Sequence, residues 1–406
     1  MMSKVVIIQV VNEDVEEAVR KAINLLGGIN KFISNFNEVL LKPNLLIAPE
    51  IKEIRDKIRT DPRVLEAITK MILKHGKKVI IGDSSAAGHD GGTREALKYS
   101  GYLEIGEKYD SVDVRSLEKN GPINVDVQGK KLRKVNIAKD VIDAQAIINV
   151  PKMKTHSMTL YTGAIKNLFG TITGGEKTRI HSIGANIKGF SQCLVDLYAF
   201  EKSKIKLNIM DAIIALEGMG PGASGKAVQM DLILASEDAV ALDAVAFKLM
   251  GYNPEKVPAT RYAAEQGLGE IDLEKIVILG EKIEDHQRKF KLPKTAKIAI
   301  IPFQRFTNIS LRTPKYKSGC IACQDCERAC PEQVITIIKT KKGEQRPKIN
   351  YNGCISCFTC IEICPEACYT HQFRNVKKTL IIGSIVLFII IGIITTFVLL
   401  NKLGII

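Results

Sequence analysis

DPRVLEAITKMILKHGKKVIIGDSS, Asp61–Ser85, is the stretch on which the fold turns. Asp61 supplies the side-chain oxygen that caps a helix start, and Pro62 has the fixed φ suited to the first helical position. An amphipathic helix over Pro62–His75 then closes at Gly76, a residue at ease with a left-handed cap. The apolar run Lys78–Ile81 reads as a short strand that ends in the polar residues Asp83 and Ser84. A helix, a glycine, a short strand and a polar loop make up the repeating unit of a βαβ chain with a parallel sheet.

The same alternation runs from residue 4 to about residue 300. Further strands are expected at Val5–Val10, Val39–Leu41, Ala146–Val150, Lys206–Met210, Leu232–Leu234 and Ile276–Leu279. Helices are expected at Asp14–Leu26, Ser157–Phe169 and Glu237–Met250, the last ending at Gly251. The expected class is α/β, a mostly parallel sheet with helices on both faces, over residues 1–300. Residues 301–318 (IPFQRFTNISLRTPKYKS) lose the periodicity, carry two prolines and read as a linker.

With 406 residues the chain exceeds the roughly 100–200 of a typical domain, so more than one folded unit is expected. A net charge of +14 admits nucleic acid, an anionic surface or an acidic substrate as partner. The lysines are spread along the chain, with one short cluster at Lys130, Lys131, Arg133 and Lys134, and aromatic residues make up 6%. Neither a basic stripe nor a stacking platform is present, so no nucleic-acid partner is expected.

Of ten cysteines, nine lie between Cys320 and Cys368, which makes them a local device; the tenth, Cys193, reads as a small core residue. Cys320, Cys323, Cys326 and Cys330, followed by Pro331, form C-x2-C-x2-C-x3-C-P. Cys354, Cys357, Cys360 and Cys364, followed by Pro365, repeat it at a constant offset of 34 residues. Tetrahedral zinc sites use paired C-x2-C motifs instead of three cysteines at i, i+3 and i+6. The duplicated run resembles the two-cluster bacterial-type ferredoxins over about 50 residues, 319–370. In such pairs the fourth cysteine serves the other cluster. Cys320, Cys323, Cys326 and Cys364 are therefore assigned to one [4Fe–4S] cluster, and Cys354, Cys357, Cys360 and Cys330 to a second. The intervening VITIIKTKKGEQRPKIN reads as a hairpin around a Lys-Lys-Gly turn, making this a small α+β module. Cys368 falls outside the pattern and reads as a spare thiol.

Thr379–Leu400 is 22 residues without a charge, about 33 Å as a helix, against a hydrocarbon core of about 30 Å. A C-terminal transmembrane helix is expected here. Arg374, Lys377 and Lys378 precede it and Lys402 follows, which places the bulk of the chain on the cytoplasmic side of a cell membrane as a single-pass protein. The absence of a signal-peptide pattern before the strand-like VVIIQVV run agrees, since reduced thiolates are favoured there.

Polar groups follow several strands of the large domain: Lys42 and Asn44 after EVLL, Asp83 and Ser84 after KVIIG, Lys152 onward after AIINV, and Asp211 after LNIM. Strand carboxyl ends form the rim where open α/β sheets bind ligands. In an extended Val150–His156 segment, Lys152, Lys154 and His156 share one face. On the helix expected next, Thr162 and Lys166 lie one turn apart. Such a set suits a carboxylate or phosphate. The glycine-rich loop Gly218–Gly225 is either a close approach to a ligand or a tight turn.

Through LKPN (Leu41–Asn44), IGDSS (Ile81–Ser85), NVPKMKTH (Asn149–His156), TGAIKNLFG (Thr162–Gly170), EGMGPGASG (Glu217–Gly225) and ALDAVAFKLMG (Ala241–Gly251), residues 5–280 resemble the family called domain of unknown function 362. Its members are often fused to iron–sulfur ferredoxin modules. The residues assigned to chemistry are Asp83, His156 and Lys154, and those assigned to binding are Lys42, Asn44, Ser84, Lys152, Thr155, Thr162, Lys166 and Asn167. The expectation is a membrane-anchored oxidoreductase that relays electrons between two [4Fe–4S] clusters, a redox partner protein and an anionic small molecule. The first alternative is a non-enzymatic electron carrier docking a membrane redox complex. In the second, a non-redox α/β enzyme keeps its clusters for structure or sensing.

Overall fold

The structure, a computed structural model, describes residues 2–47, 49–86, 90–184, 186–293, 312–328, 330, 332–340, 343–354, 359–362 and 364–373. Twelve strands belong to the large domain: β1 (Ser3–Gln9), β2 (Glu38–Pro43), β3 (Lys78–Asp83), β4 (Val112–Ser116), β5 (Pro122–Asp126), β6 (Lys134–Ala138), β7 (Ile147–Val150), β8 (Lys152–His156), β9 (Leu160–Thr162), β10 (Ile205–Gly218), β11 (Gly225–Ser236) and β12 (Ile276–Gly280). Ten of them form one sheet in the order β12-β1-β11-β10-β7-β2-β3-β4, with β8 paired to β10 and β9. Neighbours on this path are parallel except at β11, which is antiparallel to both β1 and β10. The sheet is thus mixed but mainly parallel, and the carboxyl ends of β2, β3 and β7 share one edge.

Both faces are buried, which is why the strands read as unbroken apolar runs. Val5, Ile7, Leu40, Ile80 and Ile147 enter one core. Their alternating neighbours Val6, Ile8, Val39, Leu41, Val79, Ile81 and Ile148 enter the other. The helix Val15–Leu25 buries Val15, Ala18, Val19, Ala22 and Ile23, the stripe a helix lays on a sheet. In the helix Pro62–Leu73, Asp61 accepts from the Arg63 amide, as the Asp-Pro start requires. Ala239–Leu249 is capped by Asp238, which accepts from the Val240 and Ala241 amides.

The helix expected over Ser157–Phe169 is not formed as one piece. Its first part turns back as β9, pairing Thr162 with Lys154, and the helix covers just Ala164–Asn167 before a 3-10 turn, Leu168–Thr171. The cause is Asp243, whose carboxylate accepts from the amides of Ala164 (2.6 Å) and Ile165 (3.1 Å) and so sets where the helix begins. Gly163 stands beside it because a Cβ there would lie 2.1 Å from Asp243 Oδ1. The hairpin of β5 and β6 and the edge strand β4 carry too little apolar signal to have been expected.

In the cysteine module β14 (Ile335–Lys339) and β15 (Gln345–Ile349) form the expected hairpin, with Gly343 at φ +84°. The end of the expected linker is instead a strand: β13 (Arg312–Tyr316) pairs antiparallel with β16 (Tyr369–Phe373) and closes the module on itself.

The reading as a single-pass membrane protein needs correction. A span of the hydrocarbon core takes about 20 apolar helical residues. Among the described residues no helix is long and apolar enough to cross a membrane, the longest being Ile187–Glu201 with 15 residues. Thr379–Leu400, expected to span, lies outside the described residues.

Candidate functional site

At the end of β2, Lys42 Nζ lies 2.7 Å from Asp83 Oδ1 at the end of β3, with both side chains shut off from solvent. Asp83 Oδ2 accepts from the Leu45 amide at 2.7 Å, so one carboxylate ties together the loops after two strands. Burial pushes the Asp83 carboxyl above its ordinary range, against the attraction of Lys42. Gly170 is pressed onto this pair: a Cβ there would lie 2.1 Å from Asp83 Oδ1 and 2.6 Å from Lys42 Nζ. The glycine that ends TGAIKNLFG is thus required by a close approach. Beside β10, Lys152 Nζ meets Asp211 Oδ2 at 2.7 Å, again fully buried.

Lys154 points elsewhere, donating to Asn44 Oδ1 (2.6 Å) and to the carbonyl of Ile58 (2.8 Å). From Asn44 a chain of amides crosses the domain. Asn44 Nδ2 donates to Asn167 Oδ1 (2.9 Å), Asn167 Nδ2 to Asn149 Oδ1 (2.8 Å), and Asn149 Nδ2 to Asn208 Oδ1 (2.9 Å). Asn208 Nδ2 ends the chain on the carbonyl of Ser236 at 3.2 Å. Each amide is held in one sense by an obligate partner. A lysine can only donate, and the carbonyls of Lys42, Ala164 and Ser236 can only accept, so no flip satisfies the network. Lys154 thus donates to the first amide oxygen, and each following oxygen accepts from the amide before it.

His156 Nδ1 accepts from the amides of Met158 (3.0 Å) and Thr159 (3.3 Å). Burial, with Lys166, His181 and Lys154 adding repulsion, holds its protonation well below the ordinary imidazole range. The ring is therefore neutral with its proton on Nε2. Lys166 is half-buried, its ammonium 5.1 Å from the ring centre of Phe169 and 5.3 Å from that of Phe190. His181 stacks on Phe190 with centroids 4.4 Å apart, and burial with two nearby lysines brings it down to about 3. Ser84 donates to Glu118 and accepts from Lys177, whose ammonium also binds the carbonyls of Ser84 (2.7 Å) and Ser85 (2.8 Å). Burial draws Lys177 down to about 8, although Glu118 and Asp83 pull the other way.

The structure thus gathers Lys42, Asn44, Asp83, Ser84, Lys154, Asn167 and Lys166 around one rim. Lys152 is turned to Asp211. Thr155 donates to the carbonyl of Gly218 at 3.0 Å and faces the glycine-rich loop. Thr162 Oγ1 is buried, with no hydrogen-bond partner among the described residues. The glycine-rich loop approaches the protein's own backbone: a Cβ on Gly220 would lie 2.1 Å from the Thr155 carbonyl, and Lys57 pins the loop through the carbonyls of Ala223 and Gly225. Lys177, His181, Asn149, Asn208 and Asp243 went unrecognised. Asp243 was signalled by an aspartate inside the otherwise apolar stretch Ala239–Phe247, and Lys177 by a Glu-Lys-Thr-Arg run directly after Gly174-Gly175.

In the second module Cys320, Cys323, Cys326 and Cys364 line one pocket open to solvent, together with Cys368, Tyr369 and Ile337. These are the four ligands assigned to one cluster, with the fourth coming from the second repeat. All described cysteines are free thiols. Amide N–H groups point at the sulfurs of Cys320 (from Ala322, 3.4 Å), Cys330 (from Val334, 3.4 Å) and Cys364 (from Cys368, 3.2 Å). Four thiols lining one pocket, with amide donors aimed at two of their sulfurs, fit the ligand set of an iron–sulfur cube. Among the described residues no three of His, Cys, Asp and Glu converge as a mononuclear metal site would need. Of the other ligand set, Cys330, Cys354 and Cys360 are described and Cys357 lies outside the described residues.

The model of the domain of unknown function DUF362 matches residues 39–248, more than half of the chain. The chain belongs to the DUF362 family. A 4Fe-4S dicluster domain matches residues 319–368, so this DUF362 protein carries a [4Fe–4S]-binding ferredoxin module and is an iron–sulfur electron-transfer protein. A thylakoid-associated protein of Synechocystis is 32% identical over 253 residues, 62% of this chain and 74% of the relative. Among solved structures, the lactate racemase apoprotein of Thermoanaerobacterium thermosaccharolyticum aligns with a TM-score of 0.40 at 13% identity, covering 64% of this chain and 57% of that one. A Thermotoga maritima protein aligns at 0.32 and 12%, covering 63% and 59%. The chain spans less than two thirds of either solved protein.

Proposed function

We propose that this DUF362 protein is an oxidoreductase that binds two [4Fe–4S] clusters and uses them to pass electrons to or from an anionic substrate or cofactor at the rim of its α/β domain. The observation that carries the reading is the convergence of Lys42, Lys154, Lys166 and Lys177 on one rim, in a chain that also holds a ferredoxin module. Buried cations are costly unless matched by negative charge. Asp83 contacts Lys42 and, with Glu118, attracts Lys177, and a bound carboxylate or phosphate would add to this negative charge. Lys166, half-buried, is the residue best placed to meet a ligand arriving from solvent, with neutral His156 as an Nε2–H donor.

A second reading is an electron carrier that docks a redox partner protein without binding a small molecule. It is favoured by how completely the motif residues bond to one another, in the Lys42–Asp83 and Lys152–Asp211 pairs and the asparagine chain. Anaerobic purification of the full chain followed by mass spectrometry of released small molecules separates the two. An anion that copurifies with the native protein and is lost from the Lys166→Ala variant supports the oxidoreductase. Cluster-loaded protein that exchanges electrons with a carrier protein yet releases no anion supports the second reading.

A further inference from the structure

The cysteine repeats are copies at the level of backbone conformation as well as sequence. After Cys330 comes Pro-Glu-Gln-Val334, and after Cys364 comes Pro-Glu-Ala-Cys368. Gln333 and Ala367 occupy the same step, both left-handed, at φ +51° and +49°. The next residue in each case sends its amide back to the crossover sulfur, Val334 to Cys330 at 3.4 Å and Cys368 to Cys364 at 3.2 Å. The two half-sites thus share this backbone turn and its amide-to-sulfur contact, and differ in the side chain of the residue that carries the amide. Where the first has the isopropyl group of Val334, the second has a thiol. Cys368 is 3% exposed, lines the cavity that Cys320, Cys323, Cys326 and Cys364 surround, and is held against the Cys364 sulfur by its own amide at 3.2 Å. It is not needed as a ligand, because the repeat already supplies four cysteines to each site.

Reducing a cluster adds one negative charge, spread over its sulfurs, and a donor aimed at a ligand sulfur favours the reduced form. Valine offers no donor. We propose that Cys368 is a tuning residue that makes the two clusters inequivalent: its S–H group stabilises the reduced form of the cluster held by Cys364, which has the higher potential of the two, while Val334 leaves the cluster held by Cys330 lower. Electrons then settle on the Cys364 side, giving the module a direction. The inference rests on the proposed binding of two clusters.

The test uses the anaerobically purified full chain, with iron counted first and the potentials then read by film voltammetry and by redox titration followed with electron spin resonance. Native protein with about eight irons satisfies the underlying reading and should show two separate couples. Cys368→Val copies the other half-site; it should keep its iron and move the higher couple to more negative potential, by up to about tenfold in the reduction equilibrium, or about 59 mV. Cys368→Ser retains a donor and should stay near the native value, and Val334→Cys should raise the lower couple. An unmoved couple in Cys368→Val overturns the proposal. So does loss of iron in that variant, which would make Cys368 a ligand. Native protein with far fewer irons instead overturns the two-cluster reading itself.

Discussion

The ferredoxin module and the α/β rim are both built from short motifs, but they disclose their chemistry unequally. In the module four cysteines from two repeats line one pocket, as ligands of a cofactor with a fixed shape must. That shape imposes the spacing, so the spacing names the ligand. At the rim the motif side chains are bonded to one another: Lys42 to Asp83, Lys152 to Asp211, and Lys154 to a line of four asparagines. Spacing there records how strand ends are braced, and the identity of anything bound on top is not written in it.

If this contrast is right, damage should stay within its region. The largest expected effect is in the module: Cys326→Ala should lose about half of the iron, seen by iron and sulfide analysis, while the melting of the α/β domain is retained. At the rim, Lys42→Met leaves Asp83 buried without its cation and should cost about 3–5 kcal/mol in denaturant unfolding of the α/β domain, with iron content unchanged. Asn208→Ala strands the last donor-acceptor link of the amide chain far from the rim surface. It should cost about 1–3 kcal/mol, which tests whether the chain is a brace through its whole length.

The last effect is one of pH. Glu201 is fully buried beside Thr171 and feels Lys42, and burial lifts its carboxyl from 4.5 to about 8. The folded-state value lies above the unfolded one, so the protonated acid contributes stability that is complete below pH 4.5 and is lost as pH rises through about 8. Glu201→Gln should therefore flatten the fall in thermal stability across that window, a slope of at most about 1.4 kcal/mol per pH unit. A native protein whose stability does not fall there would show that Glu201 is compensated in the folded state.

Much of the fold was legible because caps and periodicity are local. Asp61, Pro62 and Gly76 bracket their helix as their chemistry dictates, and the apolar strands lie where their runs do. The expected helix over Ser157–Phe169 failed for a non-local reason: Asp243, 79 residues downstream of Ala164, chooses its first turn. The same holds at the rim. Gly170 reads as a helix terminator until Asp83 is seen against it, and Asn208 reads as an ordinary strand residue until its partners on β7 and β11 are in place. Cys368 looked spare in the sequence because the ligand pattern was complete without it. Its position in the cavity could come only from the fold.

The most direct test of the account is the metal content of the anaerobically isolated full chain. Two cubes predict about eight irons with matching acid-labile sulfide, and a spin-resonance signal that appears on reduction. Zinc in place of iron, or about four irons per chain with both cysteine repeats intact, would contradict it.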